Sequence, residues 1–335
     1  MNVLYTCDDN YVWIMGISVI SLFKNNQHID ELTVYLLGEN ISNENRKLLQ
    51  NIAKKYQREI CIIDVPQLDI PETLVSARWP LSAFTRLFSA QMLPDNIERI
   101  LYLDCDTIVV SDISELEEID VGNKIFYGVK DCIGKTYKEN IGLLPDDTYV
   151  NAGVLLINLI LLRKLDIRSS IDAYMRKYIK LINYTDQDIL NGVFKGNIGE
   201  LKAEYDIMTI ATVYSYEDIV RLRKPTNYYT KEELLDAINK PIIIHYTTNM
   251  MIVRPWYNNT NHPFACEFRK YMNESPWSNK ELGDMCFNTK SDKIIRIIEI
   301  LPRELANRIL GLIHSEIKPL YIRFKATKTF KVKRD

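Results

Sequence analysis

The chain has 335 residues, 47% of them hydrophobic and 26% charged, and a formal net charge of −2. This composition is typical of a soluble globular protein and excludes a disordered or collagen-like chain. The near balance of acidic and basic residues also argues against nucleic-acid binding, which requires a basic excess to displace counterions.

Cysteine usage and the N-terminal segment indicate the cellular compartment. The six cysteines are widely scattered, and no two have the spacing of a redox or zinc-binding motif. We interpret them as reduced, buried thiols. The first ten residues contain two acidic residues and no Lys or Arg, unlike a signal peptide, and the apolar runs are too short to cross a bilayer. These features predict a cytoplasmic protein.

The first hundred residues alternate between strand and helix patterns. Continuous apolar runs predict strands at residues 2–6, 32–37, 59–65 and 99–104. Apolar spacings of three and four predict helices at residues 11–24, 44–56 and 81–92, with Ser42 as the N-cap of the second. Buried strands separated by helices are typical of an α/β protein with a parallel sheet covered on both faces. Ligands of such sheets bind outside the carboxyl ends of the strands, here residues 6–11 and 104–106.

The second half of the chain is less regular. Strands are predicted at residues 150–159 and 241–246, and helices at residues 160–180, 186–194 and 231–239. Beyond Trp256 we expect two further helices, at residues 292–301 and 302–313, with Pro302 at the start of the second. Residues 318–334 carry seven basic side chains, no acidic one and several aromatic residues.

Two aspartates follow the fourth predicted strand. Asp104 and Asp106 are two positions apart, so in extended backbone their carboxylates lie on the same side of the chain. Two such oxygen ligands suit Mg²⁺ or Mn²⁺ shared with a diphosphate, although many D-x-D segments are merely solvated loops. The sequence contains neither a G-x-G-x-x-G fingerprint nor a P-loop, so a phosphate would have to be held in another way.

Several separate segments carry a resemblance to a known family. They are LYTCDDNYV, LYLDCDTIV, NAGVLLINL, DQDILNG, and IHY followed by Pro255-Trp256. In this order, over about residues 1–260, they resemble the family 8 retaining glycosyltransferases, which include bacterial lipooligosaccharide α-galactosyltransferases and glycogenin. The resemblance implies a GT-A type catalytic domain at residues 1–260, with a single Rossmann-like mixed sheet flanked by helices. Residues 261–335 would then form a helical, basic C-terminal extension.

The resemblance also implies a metal site and a nucleotide site. Asp104, Asp106 and His245 match the family's metal ligands, and an imidazole beside carboxylates fits Mn²⁺ better than Mg²⁺, which is the alternative ion. A histidine satisfied at a strand end is the simpler interpretation of His245 without the resemblance. The uracil and ribose of a UDP-sugar would be held by residues near the first strand, namely Thr6, Asp8, Asn10 and Tyr11, and Cys105 would adjoin the donor. Capping of the helix that begins near Tyr11 is a compatible alternative for Asp8, Asp9 or Asn10.

The remaining implied donor contacts are spread along the chain. Arg86 matches the arginine that reaches the donor, and a charge on that otherwise apolar helix needs a partner. The transferred sugar would be contacted by Asp131, Asn151, Asp186 and Gln187, although Asp186 also fits a helix cap. The family's Gly and Lys-Pro-Trp positions differ here: Thr248 replaces the glycine, the loop is longer, and Arg254 precedes Pro255. Arg254 supplies the same charge as the lysine with two donors.

The implied reaction is transfer of a hexose from a UDP-sugar with retention at the anomeric carbon. Gln187 stands at the position of a nucleophile, but an amide is a poor nucleophile, so we favour same-face displacement through an oxocarbenium-like state. Asp186 is the alternative, as the nucleophile of a covalent intermediate.

The identity of the acceptor is the property that the sequence indicates least. Similar family members have basic, aromatic C-terminal tails and use lipid-linked acceptors, so we expect a cell-envelope glycan acceptor, in lipopolysaccharide or capsule biosynthesis, and peripheral attachment to an anionic membrane. The alternative is that residues 294–313 pack on the core and the last residues are a solvated tail. Two other functions stay open: a catalytically silent UDP-sugar-binding protein and a glycogenin-like self-glucosylating enzyme.

Overall fold

The computed structural model describes residues 1–65 and 84–331, with side chains described to residue 327. The strands within these ranges are β1 (Asn2–Asp8), β2 (Thr33–Glu39), β3 (Glu59–Asp64), β4 (Arg99–Leu103), β5 (Thr107–Val109), β6 (Phe126–Lys130), β7 (Val150–Asn158), β8 (Ile198–Leu201), β9 (Ile207–Met208) and β10 (Ile243–His245).

Helices cover both faces of the sheet. They are α1 (Val12–Asn25), α2 (Asn43–Tyr56), α3 (Glu115–Glu118), α4 (Lys135–Asn140), α5 (Leu159–Leu162), α6 (Ile167–Tyr178), α7 (Thr185–Val193), α8 (Thr209–Val213), α9 (Tyr216–Arg223), α10 (Lys231–Asn239), α11 (Ala265–Asn273), α12 (Lys290–Glu299), α13 (Arg303–Leu312) and α14 (Lys318–Lys331). Short 3₁₀ helices occupy Asp9–Tyr11, Arg86–Gln91 and Ala203–Tyr205, and a π-helical turn occupies Ile313–Ile317.

The central sheet is mixed rather than fully parallel. Its strand order is β3-β2-β1-β4-β7-β6-β8. The first four of these strands are parallel, but β7 runs antiparallel to both of its neighbours, β4 and β6. Every residue of β7 is buried, so its continuous apolar sequence does not distinguish parallel from antiparallel pairing. Because β6 and β8 are again parallel to each other, the parallel sheet that the apolar runs predicted holds for every strand of this sheet except β7.

A second, three-stranded sheet brings distant segments together. β10 pairs antiparallel with β5 and parallel with β9, so that His245 lies opposite Thr107 and Met208. Because Thr107 directly follows Asp106, this register carries His245 to the D-x-D segment. The predicted strand at 241–246 is present in shortened form, whereas β5 and β9 were not predicted from the sequence.

Most predicted elements of the first half are confirmed. α1 is buried on almost all sides between the sheet and α11, and Ser42 caps α2 by accepting a hydrogen bond from the backbone N–H of Asn45. The predicted helix at 81–92 is a 3₁₀ helix over Arg86–Gln91, and its residues 81–83 lie outside the described residues. Pro302 is the N-cap of α13 rather than its first helical residue.

The C-terminal helices pack on the remainder of the protein through α9 and α4. A Cβ on Gly311 would lie 2.0 Å from the carbonyl oxygen of Arg221, so only glycine allows α13 to approach this closely. Ser315 Oγ donates to the Leu222 carbonyl at 2.8 Å, and Arg323 Nε donates to Asn140 Oδ1 at 2.8 Å. The segment from residue 318 is thus helical as far as residue 331 and contacts α4 through Arg323, whereas residues 332–335 lie outside the described residues. No helix among the described residues is long and apolar enough to span a membrane.

Candidate active site

The three predicted metal ligands meet at the end of β4. Asp104 and Asp106 flank the turn between β4 and β5, and His245 ends β10 beside them. One ligand atom from each of the three side chains lies within 4.8 Å of the others. His245 Nε2 is 3.3 Å from Asp106 Oδ1 and 3.8 Å from Asp104 Oδ2. Two carboxylates and one imidazole form a donor set that fits Mn²⁺ or Mg²⁺.

The orientation of His245 is fixed by Asp206, which follows the 3₁₀ helix Ala203–Tyr205. Asp206 Oδ1 lies 2.9 Å from His245 Nδ1, and the Asp206 side chain has no exposed surface. This contact assigns the proton to Nδ1 and leaves Nε2 facing the two aspartates. A carboxylate behind a histidine ligand is a recurrent way to set its tautomer and ring plane. No motif marked Asp206 in the sequence.

Gly153 in β7 makes room for this cluster. A Cβ at this position would lie 2.2 Å from His245 Cε1 and 2.9 Å from Asp104 Oδ2. The backbone carbonyl of Gly153 also accepts a hydrogen bond from the Asp104 N–H at 2.7 Å. The glycine of the NAGVLL segment is therefore needed for the close approach of two ligand side chains to the strand.

Charge coupling within the cluster is strong. Burial raises the pKa of Asp106, but His245 and Arg254 outweigh burial and lower that pKa to about 2. Burial lowers the pKa of His245, and the two carboxylates of Asp206 and Asp106 outweigh it, so the pKa lies well above its usual value. Asp106 is therefore held in its ionised form beside His245 and Arg254.

Arg86 links the metal-ligand cluster to the start of α7. The side chain is buried, with NH2 3.0 Å from Asp104 Oδ1 and Nε 3.3 Å from Asp186 Oδ2. Its guanidinium lies over the Tyr102 ring, 4.4 Å from the centroid, and NH1 donates to the Ala152 carbonyl. The buried charge of Arg86 therefore has two carboxylate partners, Asp104 and Asp186, so Arg86 is not a surface arginine.

Asp186 and Gln187 lie in the first turn of α7 and face β7. The N-cap position of α7 is Tyr184, without a capping side-chain bond, so the cap alternative for Asp186 is wrong. Burial raises the pKa of Asp186 to about 6, and Arg86 opposes this effect. Gln187 Oε1 accepts from Asn151 Nδ2 at 3.1 Å, and Gln187 Nε2 donates to Asp131 Oδ2 at 2.9 Å.

These side chains line one cleft of about 350 Å³. Eight of the fourteen predicted site residues line it: Arg86, Asp104, Asp106, Asn151, Asp186, Gln187, His245 and Arg254. Asp131 lines an adjoining cavity together with Gln187. The cleft therefore combines acidic ligands, two arginines and amide groups, which is a composition suited to a charged, hydroxyl-rich ligand.

The segment predicted to hold the nucleotide lies after β1, beside the cluster. Thr6 Oγ1 is 3.2 Å from Tyr102 Oη, which donates to Asp104 Oδ1 at 2.6 Å. Cys105 Sγ lies 3.5 Å from the Thr6 carbonyl oxygen. Asp8 caps the 3₁₀ helix through the Tyr11 N–H at 3.1 Å, so the capping alternative is confirmed for Asp8.

Asn10 and the Tyr11 ring are exposed. Neither side chain lines the cleft, so their contact with a base stays a prediction. The same holds for Thr6, Asp8 and Cys105.

A sequence profile described as "Glycosyl transferase family 8" matches residues 2–260. The chain belongs to this family. It is therefore a glycosyltransferase, and the family resemblance noted from the sequence motifs is confirmed.

Similar proteins include both lipopolysaccharide transferases and others. The lipopolysaccharide 1,2-glucosyltransferase of Escherichia coli is 29% identical over 284 residues, which cover 83% of this chain and 79% of that protein. General stress protein A of Bacillus subtilis is 24% identical over 281 residues, which cover 83% of this chain and 95% of that protein.

Among solved structures, the galactosyltransferase LgtC in complex with donor and acceptor sugar analogues matches with a TM-score of 0.69 at 25% identity. The match covers 84% of this chain and 100% of that chain. The GT-A type fold with its mixed sheet is thus confirmed for this family 8 glycosyltransferase.

The loop that departs from the family pattern still reaches the cleft. Arg254 NH1 lies 3.6 Å from Asp106 Oδ2, its NH2 donates to Thr248 Oγ1, and its guanidinium lies 5.1 Å from the Trp256 ring centroid. The longer loop therefore brings Arg254 to the cleft beside Asp106, and its contact with a diphosphate stays a prediction.

Sequence reasoning missed several residues of the cleft wall. Tyr184, Thr185, Asn183 and Thr247 line the cleft although no motif singled them out. The sequence could have indicated these residues only through their position next to Asp186 and His245. Residues that neighbour a site residue in a loop or in the first turn of a helix often line the same cleft.

Proposed function

We propose that this family 8 glycosyltransferase transfers galactose or glucose from a UDP-sugar to a cell-envelope glycan or lipid-linked acceptor, with retention at the anomeric carbon. The observation that carries the proposal is the junction of Asp104, Asp106 and His245 with Arg86 and Asp186 in one cleft. In this arrangement, a metal ion held by the three ligands would bind the diphosphate of the donor. The neighbouring arginine–aspartate pair would bind hydroxyl groups of the sugar.

Asp104, Asp106 and His245 would hold a divalent ion, Mn²⁺ in preference to Mg²⁺, in line with the chemistry of their donor atoms. When bound, such an ion neutralises charge on a diphosphate leaving group. Arg254 is a cation of the protein beside that place, because its NH1 lies 3.6 Å from Asp106 Oδ2. It would supply a two-donor contact to a phosphate.

The donor sugar would lie against α7 and β7. Asn151 and Asp131 are both hydrogen-bonded to Gln187, and Arg86, which pairs with Asp186, donates to the Ala152 carbonyl next to Asn151. The four predicted sugar contacts are therefore linked to one another. Such prior ordering reduces the entropy lost when a sugar is bound. The uracil and ribose would be held by Thr6, Asp8, Asn10 and Tyr11, with Cys105 beside them.

The hydrogen bonds of Gln187 favour displacement on one face over a covalent intermediate. Its Oε1 accepts from both Asn151 Nδ2 and the Ala152 N–H, so the lone pairs of a weak nucleophile are already engaged. The amide would instead steady positive charge that develops on the sugar. Asp186 is the alternative nucleophile, but its contact with Arg86 makes its carboxylate less available.

The C-terminal extension would attach the cytoplasmic enzyme to the inner face of an anionic membrane. Ile294, Ile297 and Leu301 recur on one side of residues 290–301, here called the α12 region, and are exposed, with Lys293 and Arg296 next to them in the sequence. Apolar and basic side chains on the same helix are typical of interfacial helices.

Release of UDP from a panel of UDP-hexoses tests the proposal. With Mn²⁺ we expect release from UDP-galactose or UDP-glucose, loss of release with EDTA, and at least a tenfold lower rate in Asp106→Asn. Asp236→Asn, an exposed aspartate of α10, is the matched control and should keep the wild-type rate.

UDP binding in the same samples separates the alternatives. Binding without release from any sugar would favour a catalytically silent UDP-sugar-binding protein. Absence of both UDP binding and UDP release would contradict the proposal.

A further inference from the structure

A second cavity, of about 160 Å³, adjoins the cleft, and none of the three predicted metal ligands lines it. Asn151, Tyr184 and Gln187 line both spaces, so a molecule in the cavity would reach the proposed sugar site directly. The cavity wall also contains Arg223, the last residue of α9, which no sequence motif singled out.

The Arg223 guanidinium has a neutral partner. Its NH1 lies 2.6 Å from Nε2 of His314, in the π-helical turn of the C-terminal extension. Burial, together with Arg223 and Lys318, lowers the pKa of His314 to about 2, so the imidazole stays uncharged and accepts this hydrogen bond. His314 thus holds the guanidinium in place without cancelling its charge.

No carboxylate oxygen among the described residues lies within the 4.0 Å of an ion pair with Arg223, and its buried Nε has no hydrogen-bond partner. Asp131 also lines the cavity, but its two oxygens accept from the Cys132 N–H at 2.7 Å and from Gln187 Nε2 at 2.9 Å. Within the described part of the chain, Arg223 therefore has no ion-pair partner in direct contact, and the charge of Asp131 acts on it only from further away. An anion from a ligand would supply a direct partner for the guanidinium.

We propose that this cavity binds an anionic group of the acceptor, a phosphate or a carboxylate, through Arg223. The inference rests on the proposed transfer reaction, because it assigns the cavity beside Gln187 to the acceptor. A planar guanidinium with free N–H groups matches both anions in a two-donor geometry. The acceptor would then be a phosphorylated or acidic sugar rather than a neutral one.

The test compares three probes on the full chain saturated with UDP and Mg²⁺: glucose, glucose 6-phosphate and glucuronate. By calorimetry, we expect glucose 6-phosphate or glucuronate to bind at least about tenfold more tightly than glucose. The tighter of the two identifies the anion. In Arg223→Gln the preference should fall below about twofold, whereas Arg221→Gln, which removes a neighbouring arginine paired with Asp218 and Glu304, should retain it.

Two controls keep the result interpretable. Arg223→Lys keeps the charge and should keep part of the preference, so a folding defect of the glutamine variant, read from its melting curve, is separated from loss of the anion site. Equal binding of all three probes, no binding of either anion, or a preference that survives in Arg223→Gln would overturn the inference. UDP release from UDP-galactose and UDP-glucose by the same wild-type samples is scored separately, so failure of the transfer reaction itself would be recognised independently.

Discussion

At the residue scale, Asp206 is the side chain outside the ligand set that most directly controls it. Replacement by Ala removes the partner of His245 Nδ1, so the ring is free to rotate or change tautomer. We expect Asp206→Ala to weaken Mn²⁺ binding by about ten- to a hundredfold in an electron paramagnetic resonance titration, and Asp206→Asn, which keeps an acceptor, to weaken it less. Asp236→Ala is the exposed control. Wild-type affinity in Asp206→Ala would contradict this role.

Gly153 gives a second prediction at the same scale. An alanine methyl group would overlap His245 Cε1 at 2.2 Å, and the imidazole cannot yield because Asp206 fixes it from the other side. Gly153→Ala is therefore expected to displace the imidazole and to lower Mn²⁺ affinity at least tenfold, together with the melting temperature. Gly283→Ala, where a Cβ would meet nothing within 4 Å, is the matched control. Equal effects of the two substitutions would show that the close approach is not critical.

At the scale of elements, His262 secures the segment that follows β10. Its Nε2 is 3.2 Å from Thr209 Oγ1 at the start of α8, and its Nδ1 accepts the Phe264 N–H at 3.1 Å. Burial lowers the pKa of His262 to about 4, below its usual value of 6.5. The neutral ring therefore contributes stability above pH 6.5, and this contribution is lost as the pH falls towards 4.

The size of this effect follows from the pKa shift. It amounts to up to about 3 kcal/mol, because one pKa unit corresponds to about 1.4 kcal/mol. We expect the free energy of unfolding by urea to fall less between pH 7 and 4.5 in His262→Asn than in the wild type. The exposed His28 provides the control variant His28→Asn, which should follow the wild type. Parallel losses in His262→Asn and the wild type would contradict the prediction.

The α12 region gives a prediction about surfaces. Ile297 is 66% exposed and Ile300 is 83% exposed, so neither contributes much to packing. If the extension contacts lipid, the Ile297→Ser/Ile300→Ser variant should bind vesicles with phosphatidylglycerol about tenfold more weakly in a sedimentation assay, with an unchanged melting temperature. Leu144→Ser, at a 63% exposed leucine outside the extension, is the control. Equal binding by both variants would contradict the membrane contact.

The elements also show why sequence patterns predicted some parts of the fold and missed others. Strands such as β1 and β7 can be predicted from the sequence because a strand that is buried on both faces appears as a continuous apolar run. β5 and β9 have only three and two residues, too few for any periodicity, although together with β10 they form the sheet that carries His245. The direction of β7 could not be predicted because a continuous apolar run is compatible with both parallel and antiparallel pairing.

At the scale of the whole molecule, the candidate site was predictable wherever a motif linked residue type to position. The D-x-D aspartates and Asp186 were found in this way, and the structure brings them into one cleft. Asp206 and Arg223 were not found, because their environment depends on the packing of His245 and His314, which are distant in sequence. Long-range contacts of this kind leave no trace in local spacing.

The register between β5 and β10 also sets when the proposed metal site can form. Chains are made from the N-terminus at roughly 5–20 residues per second, and domains generally fold as units. Asp104 and Asp106 leave the ribosome well over a hundred residues before His245, which joins them only when β10 pairs with β5. A nascent chain that ends before β10 therefore presents two aspartates without their histidine, so premature termination yields products that cannot assemble the ligand set.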